Sequence, residues 1–230
     1  ASSVIVAVVD TGVNYNHQDL SANMWTNPNP GSYSGYTGDL HGINVCNGTG
    51  SPLDDNGHGS HCAGTIGAVG DNQVGVAGVV WNVQIMALKF LGANGSGYTS
   101  DSIVCFDYAK AHGADVVSCS FGGGGYSSSV RSAIAALKAG NTVVACAAGN
   151  DWTDNDAYPQ YPSSYEEDNI VAVASTGTGD ELSWFSNFGA TSVDIAAPGE
   201  DIVSTYCTSA SAYATLSGTS MATPLTAGAV

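Results

Sequence analysis

Polar or glycine-rich residues bound a series of short apolar runs along the chain. Val4–Val9 (VIVAVV), Val83–Phe90 (VQIMALKF), Ala114–Phe121 (ADVVSCSF), Thr142–Ala148 (TVVACAA) and Ile170–Ser175 (IVAVAS) are continuous and rich in β-branched residues. That is the pattern of strands buried on both faces. Between them, Thr99–His112 sets Ile103, Phe106, Tyr108 and Ala109 at apolar positions of a helix, and Ser128–Ala139 predicts another that Gly140 ends. Gly57–Ala68 (GHGSHCAGTIGA) predicts a helix of small residues packed closely on its neighbours. The small residues after Ser220 predict one more helix, entered through a tight turn. Val193–Ala197 and Ile202–Thr205 read as short strands joined at Ala197-Pro198-Gly199, whereas residues 21–57 are loop-rich. Strands alternating with helices predict an α/β fold of three layers, a mainly parallel sheet with helices on both faces. The 230 residues fit one domain, without repeats or an internal boundary.

Composition narrows the partners. Only 10% of residues are charged, and 4 basic residues against 20 acidic ones give a net charge of −16. Such a surface repels phosphate backbones and anionic lipid, so neither nucleic acid nor a membrane is an expected partner. No apolar run is long enough to span a bilayer. Acidic groups suit hard cations such as calcium, or serve simply as a solvated surface. The six cysteines, at 46, 62, 105, 119, 146 and 207, lack zinc-type spacing. Their even number permits disulfides without fixing connectivity, and Cys62, Cys119 and Cys146 fall in apolar segments where free cysteine packs as a small hydrophobe.

Candidate chemistry gathers at the ends of these elements. Asp10, in Asp10-Thr11-Gly12, closes the first strand, at the edge where open α/β sheets collect functional groups. Asp-Thr-Gly is also the aspartic-protease signature, but that mechanism needs a second carboxylate sharing a proton, and no second copy occurs. His58 opens a helix with His61 one turn on. The pair lacks a nearby third ligand for zinc, which leaves His58 as a candidate base and His61 as a buried hydrogen-bonding partner. Asn150, after the strand ending at Ala148, is either a turn residue or an amide donor to developing negative charge. Gly122–Gly125 is either a flexible loop or a close approach for an extended peptide. Ser220 is either a helix cap or a nucleophile beside free backbone N–H groups.

Taken together these residues resemble the subtilisin-like serine proteases, the subtilases, over essentially the whole chain. The resemblance rests on VVDTGVNYNHQDL (Val8–Leu20), NGHGSHCAGTIGA (Asn56–Ala68), AAGN (Ala147–Asn150) and SGTSMATP (Ser217–Pro224), with proteinase K-type features in GHGSHCAG (Gly57–Gly64). It implies a secreted, monomeric serine endopeptidase with Ser220 as nucleophile, His58 as general base, Asp10 orienting the imidazole and Asn150 in the oxyanion hole. It further implies protein or peptide substrates, and a propeptide or other protein inhibitor. Substrate backbone would lie between Ser120–Gly122 and Gly95-Ser96-Gly97, with Ser120, Phe121, Gly122, Ala147 and Gly149 lining the pocket for the residue before the cleaved bond. A structural calcium ion would be held by Asp19, Asn72 and the carbonyls of Val69, Val74 and Val76. Asp54 and Asp55 could serve a second ion or form a solvated loop. Measured against the family pattern, residues 1–230 look like a catalytic core shortened at both ends, and Leu225 stands where a packing histidine is usual. The alternative function is an inactive relative that merely holds extended peptides.

Overall fold

Alternate residues of the first strand, β1 (Ile5–Asp10), face opposite layers. Val6 and Val8 pack with Cys62, Ala63, Ile66 and Met221 on one side. Ala7 and Val9 pack with Phe106, Ile134 and Leu137 on the other. The unbroken apolar run from Ile5 to Val9 is what such two-sided burial requires, and each fully buried Val contributes about 1.5–3 kcal/mol. The computed structural model describes residues 3–33 and 35–230.

The elements follow in the order β1, β2 (Gly42–Asn44), α1 (His58–Gly67), β3 (Gln84–Lys89), α2 (Thr99–Ala111), β4 (Val116–Cys119), α3 (Ser128–Leu137), β5 (Val143–Ala147), β6 (Ile170–Thr176), β7 (Ile195–Pro198), β8 (Ile202–Thr205), β9 (Tyr213–Leu216) and α4 (Thr219–Ala229). Seven strands form one sheet in the order β2-β3-β1-β4-β5-β6-β7, and every pairing within it is parallel. Helices α2 and α3 cover one face; α1 and α4 cover the other. The three-layer α/β architecture expected from the apolar runs is therefore the one observed.

The departures lie at short elements. Strand β2 has only 3 residues, too few to carry a period. Strand β9 pairs antiparallel with β8 as a separate hairpin, where the sequence predicted β8 alone. Strand β7 ends on Pro198 at the sheet edge, the position at which a missing N–H is tolerated. All six cysteines carry free thiols; Cys46 is exposed, Cys207 half-buried and the other four buried. The disulfides that the even count permitted are not formed.

Because the strands of the main sheet are parallel, their carboxyl ends share one edge. Asp10 is the last residue of β1, Ser120 follows β4, and Asn150 follows β5. Helix α1 packs on β1, α4 packs on β4 to β7, and the two helices pack on each other. Their N-termini thus meet above the centre of the sheet, bringing residues from four distant segments together.

Candidate active site

His58 is the first residue of α1, and two glycines hold it close to β1. The helix cap, Gly57, has φ +114°, and a side chain there would strike the Tyr206 ring at 2.2 Å. A Cβ on Gly59 would lie 2.1 Å from the Gly12 carbonyl oxygen and 3.1 Å from Asp10 Cβ. Only glycine allows this backbone approach. His58 Nδ1 consequently lies 2.8 Å from Asp10 Oδ1 and 3.0 Å from Oδ2. Asp10 is fully buried and takes a further hydrogen bond from Thr11 N–H at 2.7 Å. A carboxylate at Nδ1 fixes the proton there and leaves Nε2 as the acceptor nitrogen. Burial alone pulls the imidazole down, yet the Asp10 charge, with Cys62 beside it, holds the pKa well above the ordinary histidine value. Cys62 Sγ lies 4.0 Å from His58 Nδ1.

Ser220 sits in the first turn of α4. Its Oγ donates to the Ser120 carbonyl at 3.1 Å, and Ser120 Oγ donates to the Ser220 carbonyl at 2.9 Å. That second bond depends on Pro224. The residue four positions on would normally donate its N–H to the Ser220 carbonyl, but proline has none, so the carbonyl is open to Ser120 and to Cys62 Sγ at 3.5 Å. Ser220 Oγ is thus turned towards Ser120 in this structure, not hydrogen-bonded to His58.

Asn150 is held by its oxygen. Oδ1 accepts from Thr219 N–H at 2.9 Å and from Thr219 Oγ1 at 3.0 Å. Those donors dictate which end of the amide is which, and Nδ2 is left to point elsewhere. A Cβ on Gly218 would be 3.7 Å from Asn150 Nδ2 and 3.6 Å from Ser220 N, so both donors border the same small space.

Of the expected peptide-binding residues, Gly95, Ser96, Gly97, Phe121 and Gly122 line one cleft of about 320 Å³. Gly123–Gly125 continue the same wall, while Phe90, Leu91, Tyr161 and Tyr165 supply apolar surface that the sequence did not single out. The rings of Phe90 and Phe121 meet edge-on at 4.7 Å. Ser120 belongs to the Ser220 pair instead, Ala147 is buried at the end of β5, and Gly149 packs on Asn187; none of these three borders that cleft.

Asp19 and the 69–76 loop also come together. Asp19 Oδ1 accepts from Asn72 Nδ2 at 2.7 Å; Oδ2 accepts from Val76 N–H at 3.0 Å and Tyr213 OH at 3.2 Å. Asn72 Oδ1 accepts from Val74 N–H at 2.9 Å, and Val69 N–H donates to the Asp19 carbonyl at 2.9 Å. Asp71 and Gln73, with φ of 56° and 59°, hold left-handed backbone between these residues, a strained arrangement for side chains other than glycine.

His61 differs from His58 in every partner: its Nε2 meets the carbonyls of Ile202 and Ala214 in the β8–β9 hairpin, at 3.0 and 3.2 Å. The two rings therefore serve different neighbours, His58 facing β1 and His61 facing the β8–β9 hairpin. Asp55 pairs with Lys89 at 2.7 Å. Asp54 is buried, and its carboxylate accepts hydrogen bonds from Thr11, Asn56, Gly57 and Ser60. Among the described residues no helix is long and apolar enough to cross a membrane.

Comparison with known proteins agrees with the geometry. A family model described as the Subtilase family matches residues 1–230. Thermitase of Thermoactinomyces vulgaris is 40% identical over 227 residues, which is 99% of this chain and 73% of that protein. Subtilisin DY of Bacillus licheniformis is 34% identical over 99% of the chain and 75% of its own length. The chain spans half the length of a thermophilic serine proteinase from Bacillus sp. (strain AK1), at 37% identity. In three dimensions the chain resembles a cold adapted subtilisin-like serine proteinase, with a TM-score of 0.79 at 35% identity, covering 98% of this chain and 73% of that one.

Proposed function

Because the chain belongs to the subtilase family of serine proteases, we propose that it cleaves peptide bonds through an acyl-enzyme on Ser220. The observation that carries this reading is the His58 Nδ1–Asp10 bond of 2.8 Å, which leaves Nε2 as a base on the side of the imidazole away from the carboxylate. Ser220 Oγ turns from the Ser120 carbonyl to Nε2, gives up its proton there and attacks the substrate carbonyl carbon. Negative charge on the former carbonyl oxygen is met by Asn150 Nδ2 and Ser220 N–H. His58 then returns the proton to the departing amine, and water hydrolyses the ester by the same route. Asp10 holds the imidazole in place and stabilises the imidazolium that forms.

Extended peptide lies along the cleft between Gly95–Gly97 and Phe121–Gly125, whose glycines admit a second backbone. The apolar lining from Phe90, Leu91, Tyr161 and Tyr165 favours apolar side chains in the substrate. Substrates are proteins or peptides in an extracellular setting, the enzyme acts as a monomer, and a propeptide or inhibitor would occupy the same cleft.

A structural calcium ion fits the Asp19 site in donor chemistry. The ligands in this reading would be the buried Asp19 carboxylate, the Asn72 amide oxygen and the carbonyls of Val69, Val74 and Val76, all hard oxygens. The strain at Asp71 and Gln73 is an observation that a bound cation would offset. Asn72 would then exchange its Nδ2 contact with Asp19 for one through its oxygen, and the ion would stiffen the loop after α1.

The deciding experiment compares the wild type with Ser220→Ala on a casein or peptide substrate, with fluorophosphonate labelling alongside. Loss of both hydrolysis and label in the variant is expected; unchanged hydrolysis would discard the reading.

A further inference from the structure

The chemistry above makes no use of Asp54, the most heavily hydrogen-bonded carboxylate near His58. We propose that Asp54 is a positioning residue that, through Thr11, sets the His58–Asp10 bond. The proposal rests on the acyl-enzyme reading for its catalytic consequence, although the bond itself can be observed without it.

One carboxylate grips both sides of that bond. Asp54 Oδ1 accepts from Gly57 N–H and Asn56 N–H, each at 3.0 Å, and from Thr11 Oγ1 at 2.9 Å. Its Oδ2 accepts from Ser60 N–H at 2.9 Å and Ser60 Oγ at 2.6 Å. Helix α1 has a glycine at its cap, no side-chain cap bond and no acidic residue in its first turn. Asp54 supplies what that start lacks: a negative charge at the positive end of the helix, and acceptors for its free N–H groups.

Thr11 carries the constraint to Asp10. Its Oγ1, bound to Asp54, also accepts from Gly59 N–H at 2.9 Å, the residue next to His58. Its own N–H donates at 2.7 Å to Asp10 Oδ1, the oxygen nearer to His58 Nδ1. Turning Thr11 would therefore move the Asp10 carboxylate, and releasing Asp54 would let the first turn of α1 shift against β1. Saturated by five donors and 6% exposed, Asp54 has no lone pair directed to substrate. It acts only through its neighbours.

The test uses Asp54→Asn, Thr11→Val and Thr11→Ser in the full chain, read by steady-state kinetics and by the low-field proton resonance of His58 Nδ1–H. Thr11→Val and Asp54→Asn should move or broaden that resonance and lower kcat by about 10- to 100-fold with little change in KM, the scale of a misplaced catalytic group. Thr11→Ser keeps both hydroxyl bonds and should recover most of each signal. Should Asp54→Asn not fold, the Thr11 pair decides alone. A Thr11→Val protein with wild-type resonance and kcat, even with a lower Tm, would overturn the proposal. If the wild type cleaves no peptide, the acyl-enzyme reading fails separately, and the resonance still judges the role of Asp54.

Discussion

Ser120 and Ser220 hydrogen-bond to each other's carbonyls, Oγ to oxygen in both directions, at 2.9 and 3.1 Å. The bond from Ser120 exists because Pro224 withholds the N–H that would otherwise close the helix over the Ser220 carbonyl. Ser120→Ala should cost about 0.5–1.5 kcal/mol, the net worth of one hydrogen bond, since the part-buried Ser220 carbonyl loses its oxygen-borne donor. Pro224→Ala restores an N–H to that carbonyl, so the double variant should lose less than the two single losses summed. Urea unfolding of all four proteins measures the coupling; strict additivity would contradict the account.

The ion-like bond between His58 and Asp10 has a consequence for pH. The His58 pKa is raised, so the imidazole becomes a free base only as pH climbs through a value above the ordinary one near 6.5. Hydrolysis should therefore rise with pH, with the midpoint of the acid limb above about 6.5. The stability due to this pair has the opposite sign: it is fully present below the unfolded-state pKa and is lost as pH rises through the folded-state value. A profile of kcat/KM against pH checks the first statement. A limb at or below the free-histidine value would refute it.

Asn150 separates cap from donor. Asn150→Leu should lower kcat about 10²- to 10³-fold, the loss found for an oxyanion donor in a subtilisin and so an expectation of the family. It should also destabilise α4 by about 1 kcal/mol, because Thr219 N–H loses its acceptor. Asn150→Asp retains that acceptor while removing the donor. It should keep the Tm and lose the activity, and a variant that keeps both would argue against the Nδ2 role.

Calcium should act on stability and not on chemistry. With the ion at a hundredfold excess over its Kd, binding to the folded state alone adds about 2.7 kcal/mol, or roughly 5–10 °C in Tm for a chain of this size. Chelation should remove that increment, and Asp19→Ala should abolish the difference between chelated and calcium-loaded samples. Equal melting of the wild type with and without calcium would dismiss the site.

The sequence by itself determined the elements and the places of the chemical groups. Continuous apolar runs specify buried strands because both faces of β1 and of β3 to β6 are covered. That Asp10 and Asn150 lie at strand ends, and His58 and Ser220 at helix starts, was legible because such places leave local signals in glycine, asparagine and small residues. Strands β2 and β9 were not legible, since strands of 3 and 4 residues take their pairing from partners and not from a pattern of their own.

The tertiary structure alone decided how these groups face one another. Asp54 anchors the start of α1 through near neighbours, but its tie to β1 runs through Thr11, 43 residues away. Pro224 was visible in the chain, but its effect on Ser220 required Ser120, at a separation of 100 residues. Hydrogen bonds have short reach and strict direction, so their partners are set by packing; hydrophobic burial tolerates small displacements and is written into local sequence.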